Sequence, residues 1–152
     1  MSKNVLITGA TGLVGRRLVN DFIQRGDNVF VLTSNVDSAK KLEGVKKIVP
    51  WKNYLSLADE EINIIIHLAG KNLGEKRWTE KFKKAAYESR IITTRKIVEL
   101  IEIMKSKPEA LLSASGSDYY GNRGEEIITE DSAPADDYMA KMCIDWEGEA
   151  LK

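Results

Sequence analysis

Asn4-Val5-Leu6-Ile7-Thr8-Gly9-Ala10-Thr11-Gly12-Leu13-Val14-Gly15 is the stretch whose reading decides the fold. Val5, Leu6 and Ile7 form an unbroken apolar run, which suits a parallel strand covered on both faces better than a strand with one wet face. Three glycines follow at once, spaced Gly9-x-x-Gly12-x-x-Gly15. Beyond them Leu13, Val14, Leu18, Val19, Phe22 and Ile23 recur at helical spacing, and Gly26 closes the helix. A buried strand, a glycine turn and a helix in that order form a dinucleotide-binding signature with a physical basis. Gly9 allows the tight turn, Gly12 lets the backbone approach a pyrophosphate, and Gly15 lets the helix pack on the sheet. The free N–H groups of Leu13, Val14 and Gly15, at the positive end of the helix dipole, then face the phosphates. Thr11 adds a hydroxyl donor. No Gly-Lys-Ser/Thr follows, which counts against a P-loop.

Outward from this unit the same alternation continues. Asn28–Thr33 reads as a second strand, Ser38–Leu42 as a weak helix and Lys47–Pro50 as a short third strand. Ile62–Leu68 reads as a fourth strand, followed by a long helix from about Thr79 to Lys105. Leu111–Ser115 reads as a fifth strand, Gly116–Asp137 as a polar loop and Tyr138–Lys152 as a helix. Alternating buried-type strands and helices predict an α/β, Rossmann-type doubly wound parallel sheet that stops after the fifth strand and its following helix. One such domain accounts for residues 1–152.

Composition sets the outer limits. The chain has 152 residues, 43% of them apolar and 30% charged, enough for one globular core and too little for two. Lys+Arg and Asp+Glu are both 23, so charge supplies no reason to expect a nucleic acid or an anionic membrane as partner. No apolar run reaches the length of a signal peptide core or a membrane span. The single cysteine, Cys143, cannot close an internal disulfide or build a cysteine metal site, which favours a reducing, cytoplasmic setting. His67 is the only histidine, and with no second ligand beside it a satisfied structural histidine is expected and a metal site is not. Charge is uneven along the chain. Residues 71–90 carry seven Lys/Arg against three Asp/Glu, and residues 118–137 carry seven Asp/Glu against one Arg. Solvated faces of a helix and a loop are the plain reading of both runs.

The cofactor is narrowed by the end of the second strand. An acidic residue there would bind the adenosine ribose and favour NAD. The strand ends Leu32-Thr33-Ser34-Asn35, and Asp37 comes late. Thr33 and Ser34, with Lys40 or Arg16 nearby, can accommodate a 2′-phosphate, so NADP(H) is favoured and NAD(H) is possible. The missing acid also argues against a nucleoside-binding methyltransferase.

These residues resemble a known family. Thr8 to Gly15 is similar to the opening of extended and atypical short-chain dehydrogenases/reductases. His67-Leu68-Ala69-Gly70 resembles their turn that passes along the cofactor. Lys71-Asn72, Lys76-Arg77-Trp78-Thr79, Ser89-Arg90, Ser113-Ala114-Ser115, Tyr119-Tyr120-Gly121 and Asp145-Trp146-Glu147-x-Glu149-Ala150 narrow the resemblance to nucleotide-sugar-epimerase-like (SDR39U1-like) epimerase family proteins. It extends over essentially the whole chain. The resemblance implies a dinucleotide in the cleft, with Leu68, Ala69, Gly70, Arg90 and Ser113 among its contacts. It also implies an unknown small-molecule substrate, an oxidoreductase or epimerase chemistry, and a possible homodimer. Such proteins run on through a C-terminal half that supplies the last strands and a small substrate domain, so this chain is similar to their N-terminal, cofactor-binding half. It further implies a Ser at position 115 that hydrogen-bonds the reacting oxygen, and a Tyr-x-x-x-Lys pair on the last helix, one turn apart on one face. Counting back from Glu147, that pair falls on Met139 and Cys143, and neither can do its work. Tyr138 with Lys141, or the loop tyrosines Tyr119 and Tyr120, are the candidate substitutes. The plain reading of the two loop tyrosines is packing under the loop. Arg77-Trp78 either borders the substrate cleft or packs on the surface. Cys143 reads as a small buried apolar residue, and Trp146 as a core or dimer anchor.

Overall fold

The computed structural model describes residues 2–152. Five strands, β1 (Asn4–Thr8), β2 (Asn28–Thr33), β3 (Lys47–Pro50), β4 (Ile64–His67) and β5 (Ala110–Ser113), form one sheet in the order β3-β2-β1-β4-β5. All four pairings are parallel. This is the Rossmann-type sheet expected from the sequence. Its order reverses between β1 and β4, which opens a crevice beyond their C-terminal ends.

The strand sequences explain the two layers. Along β1, β2 and β4 alternate side chains go to opposite faces, and both faces are apolar. Val5, Ile7, Val29, Val31 and Ile66 pack with Val19 of α1 (Leu13–Gln24). Leu6, Phe30, Leu32 and Ile65 pack with Ile97 and Leu100 of α3 (Glu80–Ile103). The short α2 (Val36–Ala39) follows β2, and α4 (Tyr138–Ala150) lies beside α3. Because β5 is an edge strand, one side of its ladder is unpaired and Leu112 stays half exposed.

Element ends differ from the sequence reading where capping decides them. Thr79 accepts from Phe82 N–H and caps α3, and the helix stops at Ile103 with Met104 already extended. Asn35 accepts from Ser38 N–H and starts α2 two residues before the expected Ser38. The fifth strand ends at Ser113, so Ser115 lies in the loop beyond it. Two 3-10 segments, Trp51–Leu57 and Ser117–Tyr120, were not readable as helices because neither has an apolar period long enough to see.

Candidate dinucleotide-binding cleft

The glycine turn is built by contact as much as by conformation. Gly9 has φ of +67°, and a Cβ there would lie 2.7 Å from the Leu68 carbonyl oxygen. A Cβ on Gly15 would lie 2.2 Å from the Gly9 carbonyl oxygen and 2.7 Å from Ala10 Cα. Only glycine at both positions lets β1, the turn and α1 close on β4. Gly12 is the extended N-cap of α1 and has no side chain to satisfy the first-turn amides. Gly9, Thr11 and Gly12 line the crevice, while Leu13, which is 92% exposed, Val14 and Gly15 do not.

The crevice floor is held by a buried relay. Thr94 donates its hydroxyl hydrogen to the Arg90 carbonyl at 2.7 Å, so it can only accept from His67 Nε2–H at 3.0 Å. His67 Nδ1 is then an acceptor, and the Thr8 hydroxyl donates to it at 2.8 Å. The Thr8 oxygen in turn accepts the backbone N–H groups of Leu68 at 3.1 Å and Ala69 at 3.0 Å. One histidine thus fixes the turn after β4 against the end of β1. Burial holds its imidazole down, to a pKa of about 4.

Above this floor lies a cavity of about 500 Å³. Gly9, Thr11, Gly12, Thr33, Ser34, Leu68, Ala69 and Gly70 all line it, as expected from their places at strand ends. The structure adds Trp51, Lys71, Ala85, Ser89 and Thr93 to the wall. No carboxylate lines it. Thr33 Oγ1 is engaged with the backbone of Asn35, while among the described residues no partner occupies the Ser34 hydroxyl. Arg16 folds back along the turn and donates from Nε to the Thr11 carbonyl at 2.8 Å. Lys40 lies 3.6 Å from Asp37.

Arg90 stands behind the cavity wall. It is 9% exposed, donates from Nη1 to the carbonyls of Lys71 at 3.2 Å and Ala86 at 3.1 Å, and stacks over the Trp146 ring at 5.1 Å. No carboxylate within salt-bridge distance balances it among the described residues, and burial lowers its pKa. Ser113 does not reach the cavity lining; its Oγ is buried without a partner.

The residues singled out for catalysis are not gathered in this cleft. Ser115 donates to Glu147 and lines a separate cavity of about 360 Å³ with Tyr119 and Tyr120. Tyr138 lines a third, of about 500 Å³, and donates its hydroxyl to the Lys83 carbonyl at 2.7 Å. Lys141 reaches Asp145 at 2.9 Å, so it does not meet Tyr138. Burial raises the Tyr138 hydroxyl pKa, the opposite of activation. Cys143 is buried, and burial together with Asp118 and Glu147 pushes its thiol up. Among the described residues no three His, Cys, Asp or Glu side chains gather to hold a metal, and no helix is long and apolar enough to cross a membrane.

Known proteins are similar to this chain. The epimerase family protein YfhF of Bacillus subtilis is 35% identical over 150 residues, covering 96% of this chain and 48% of the relative. The chloroplastic SDR39U1 homologue of Arabidopsis thaliana is also 35% identical, covering 97% of this chain and 44% of its own. Human epimerase family protein SDR39U1, solved with NADPH, superposes with a TM-score of 0.81 at 27% identity, over 97% of this chain and 48% of that one. The chain therefore spans about half the length of the relatives it matches. The family model of the NAD dependent epimerase/dehydratase family matches residues 5–152, and the chain belongs to that family.

Proposed function

We propose that this chain is the NADP(H)-binding domain of an atypical short-chain oxidoreductase of the nucleotide-sugar-epimerase-like kind. The observation that carries the reading is the cleft itself. An uncapped helix N-terminus, a glycine turn with no room for a Cβ at Gly9 or Gly15 and a wall free of carboxylates fit a pyrophosphate-linked dinucleotide. The amides of Leu13, Val14 and Gly15 and the Thr11 hydroxyl would hold the phosphates. Ser34, with Arg16 drawn up beside the turn, would take the 2′-phosphate, and Trp51 would flank the adenosine. Leu68, Ala69 and Gly70 would form the floor and Arg90 would brace it from behind. When bound, the cofactor supplies reversible hydride transfer. A cytoplasmic setting fits the one unpaired cysteine.

Ser115 would polarise the reacting oxygen, and must first release the Glu147 carboxylate it now donates to. Tyr119 and Tyr120 stand beside it with ring centroids 5.0 Å apart. The buried Cys143 and the half-buried Met139, where the resemblance places a proton-transfer pair, favour a second reading: a dinucleotide-binding sensor or interaction module without chemistry.

Calorimetric titration of the purified chain with NADPH and NADH tests the first reading. Micromolar NADPH binding, weaker for NADH and weakened further in Arg16→Ala, is the expected result. Equal binding of both cofactors would remove the 2′-phosphate argument, and binding of neither would reduce the glycine turn to scaffold. The two readings part at Ser115→Ala in a form that also carries the C-terminal half. An enzyme loses turnover there, with NADPH affinity unchanged; a sensor has no turnover to lose.

A further inference from the structure

Arg90, in the middle of α3, is a buried charge pressed against the wall of the cleft. Its guanidinium fills the space that a side chain at Gly70 would take: a Cβ there would lie 3.1 Å from Cζ and 3.3 Å from Nη1. Gly70 does not have a positive φ, so close approach, and not a turn, is what requires a glycine there. Gly70 itself lines the cleft. A bare glycine is thus what stands between the charge and the cavity. Arg90 stays ionised at any ordinary pH, yet the groups it touches are neutral. Nη1 donates to the carbonyls of Lys71 and Ala86, and the Trp146 ring takes the cation on its face without cancelling it. The Cys143 thiol and the Tyr138 hydroxyl, which also feel this charge, are uncharged at neutral pH, since burial raises both.

The cleft on the other side of Gly70 supplies no counter-charge either. Its lining has no carboxylate and adds a second cation, Lys71, whose Nζ sits 5.7 Å from the Phe82 ring centroid. The sheet order decides which half of a dinucleotide meets this charge. Ser34 and Trp51 follow β2 and β3, on one side of the glycine turn, while Gly70 and Lys71 follow β4, on the other. With the adenosine toward Ser34 and Trp51 and the pyrophosphate at the turn, the nicotinamide half extends past Gly70. The two states of that half differ by one charge: the oxidised ring is a cation, and the reduced ring is neutral. A buried charge that solvent screens poorly discriminates between them.

We propose that Arg90, acting through its field across Gly70, makes the cleft select the reduced cofactor, so that NADPH binds more tightly than NADP+ and the chain rests with a hydride donor in place. This rests on the reading of the cleft as a dinucleotide site and adds to it the redox state of what is held there.

Calorimetric titration of NADPH and of NADP+ into the same protein gives an affinity ratio, and damage that weakens both alike leaves that ratio unchanged. The wild-type chain should favour NADPH about 10-fold, a modest effect for two unit charges across a poorly hydrated wall. Arg90→Lys keeps the charge and should keep the preference. Arg90→Gln keeps a donor for the Lys71 carbonyl but loses the charge, and should bring the two affinities to within about twofold of each other. Salt gives a check that needs no variant to fold. Between about 0.05 M and 0.5 M salt both affinities should fall, as phosphates on exposed cations do, while the ratio holds because Arg90 is buried. A wild-type ratio near one, a preference for NADP+, a ratio that survives Arg90→Gln, one that is lost in Arg90→Lys, or one that collapses in high salt each overturn the proposal. Adenosine 2′,5′-bisphosphate, titrated into the wild-type chain, reads the adenosine side alone. If it binds and the ratio is one, only the redox preference falls. If neither it nor either cofactor binds, the dinucleotide reading falls and takes this one with it.

Discussion

Gly15→Ala should lower the melting temperature by about 6–12 °C and abolish dinucleotide binding, while Gly12→Ala should fold almost normally and lose only the cofactor. The two glycines sit three residues apart in one turn and look equivalent in the sequence. Their surroundings differ. At Gly15 a methyl group would overlap the Gly9 carbonyl oxygen at 2.2 Å and Ala10 Cα at 2.7 Å, and both are backbone. No side chain can swing away, so α1 must lift from the sheet. Overpacking of this kind costs about 3 kcal/mol, and in a domain of this size each kcal/mol shifts the midpoint by about 2–4 °C. At Gly12 the nearest atom to a Cβ is the Gly9 oxygen at 3.3 Å, a contact that a small adjustment relieves. The methyl group would instead project toward the crevice in front of the first-turn amides. A loss of at least about tenfold in NADPH affinity is the expected effect, roughly 1.4 kcal/mol. Thermal melts with and without NADPH separate the cases. An unchanged melting temperature in Gly15→Ala would refute the packing account, and undiminished ligand stabilisation in Gly12→Ala would refute the pyrophosphate account.

That contrast also marks what could be read from sequence. The turn was legible because its information is local: an apolar run, three glycines and a helical period within twenty residues. The parallel doubly wound sheet followed from the same kind of pattern, repeated. The far wall of the cleft was not legible. Trp51 arrives from the end of β3 and Thr93 from the middle of α3, and nothing in their own neighbourhoods says that they meet. Ser89 was seen only as part of a motif on a long helix, although its hydroxyl accepts the Lys71 N–H at 2.9 Å and so ties that helix to the cleft. At Ser115 the strand end, not the residue type, was misplaced. Its place in the motif suggested a hydroxyl at the end of the fifth strand, but β5 ends two residues earlier, and the side chain donates to Glu147 from the loop. Loop register is set by long-range contacts, and a pattern of residue types does not carry it.

Stability should fall by about 3 kcal/mol as the pH drops from 6.5 to 4, and His67 should account for the loss. The relay explains why this histidine refuses a second proton. Its Nε2 already donates to Thr94, whose own hydrogen is committed to the Arg90 carbonyl. Its Nδ1 receives the Thr8 hydroxyl, whose oxygen is taken by the amides of Leu68 and Ala69. A proton on Nδ1 would find no acceptor, and the charge would be buried. The folded pKa is therefore held down to about 4, against about 6.5 in the unfolded chain. Above pH 6.5 the imidazole is neutral in both states and nothing is lost. Between 6.5 and 4 the unfolded chain takes up a proton that the fold excludes, so stability declines with falling pH; below 4 both states are protonated and the loss levels off. The shift of roughly 2.5 units corresponds to about 3 kcal/mol. Glu149, held down to about 2 by the hydrogen bond from Arg95, loses its contribution only as the pH falls from 4.5 toward 2, so the two windows separate. Urea unfolding at pH 7.5 and pH 4.8 isolates the histidine. The wild-type chain should lose about 2 kcal/mol between them, and His67→Gln, less stable at pH 7.5, should show a nearly flat profile. Equal pH dependence in the two proteins would remove His67 from the account. Because Thr8 holds the Leu68–Ala69 floor through the same bonds, protonation should also loosen the cleft, and NADPH affinity should decline over the same pH interval.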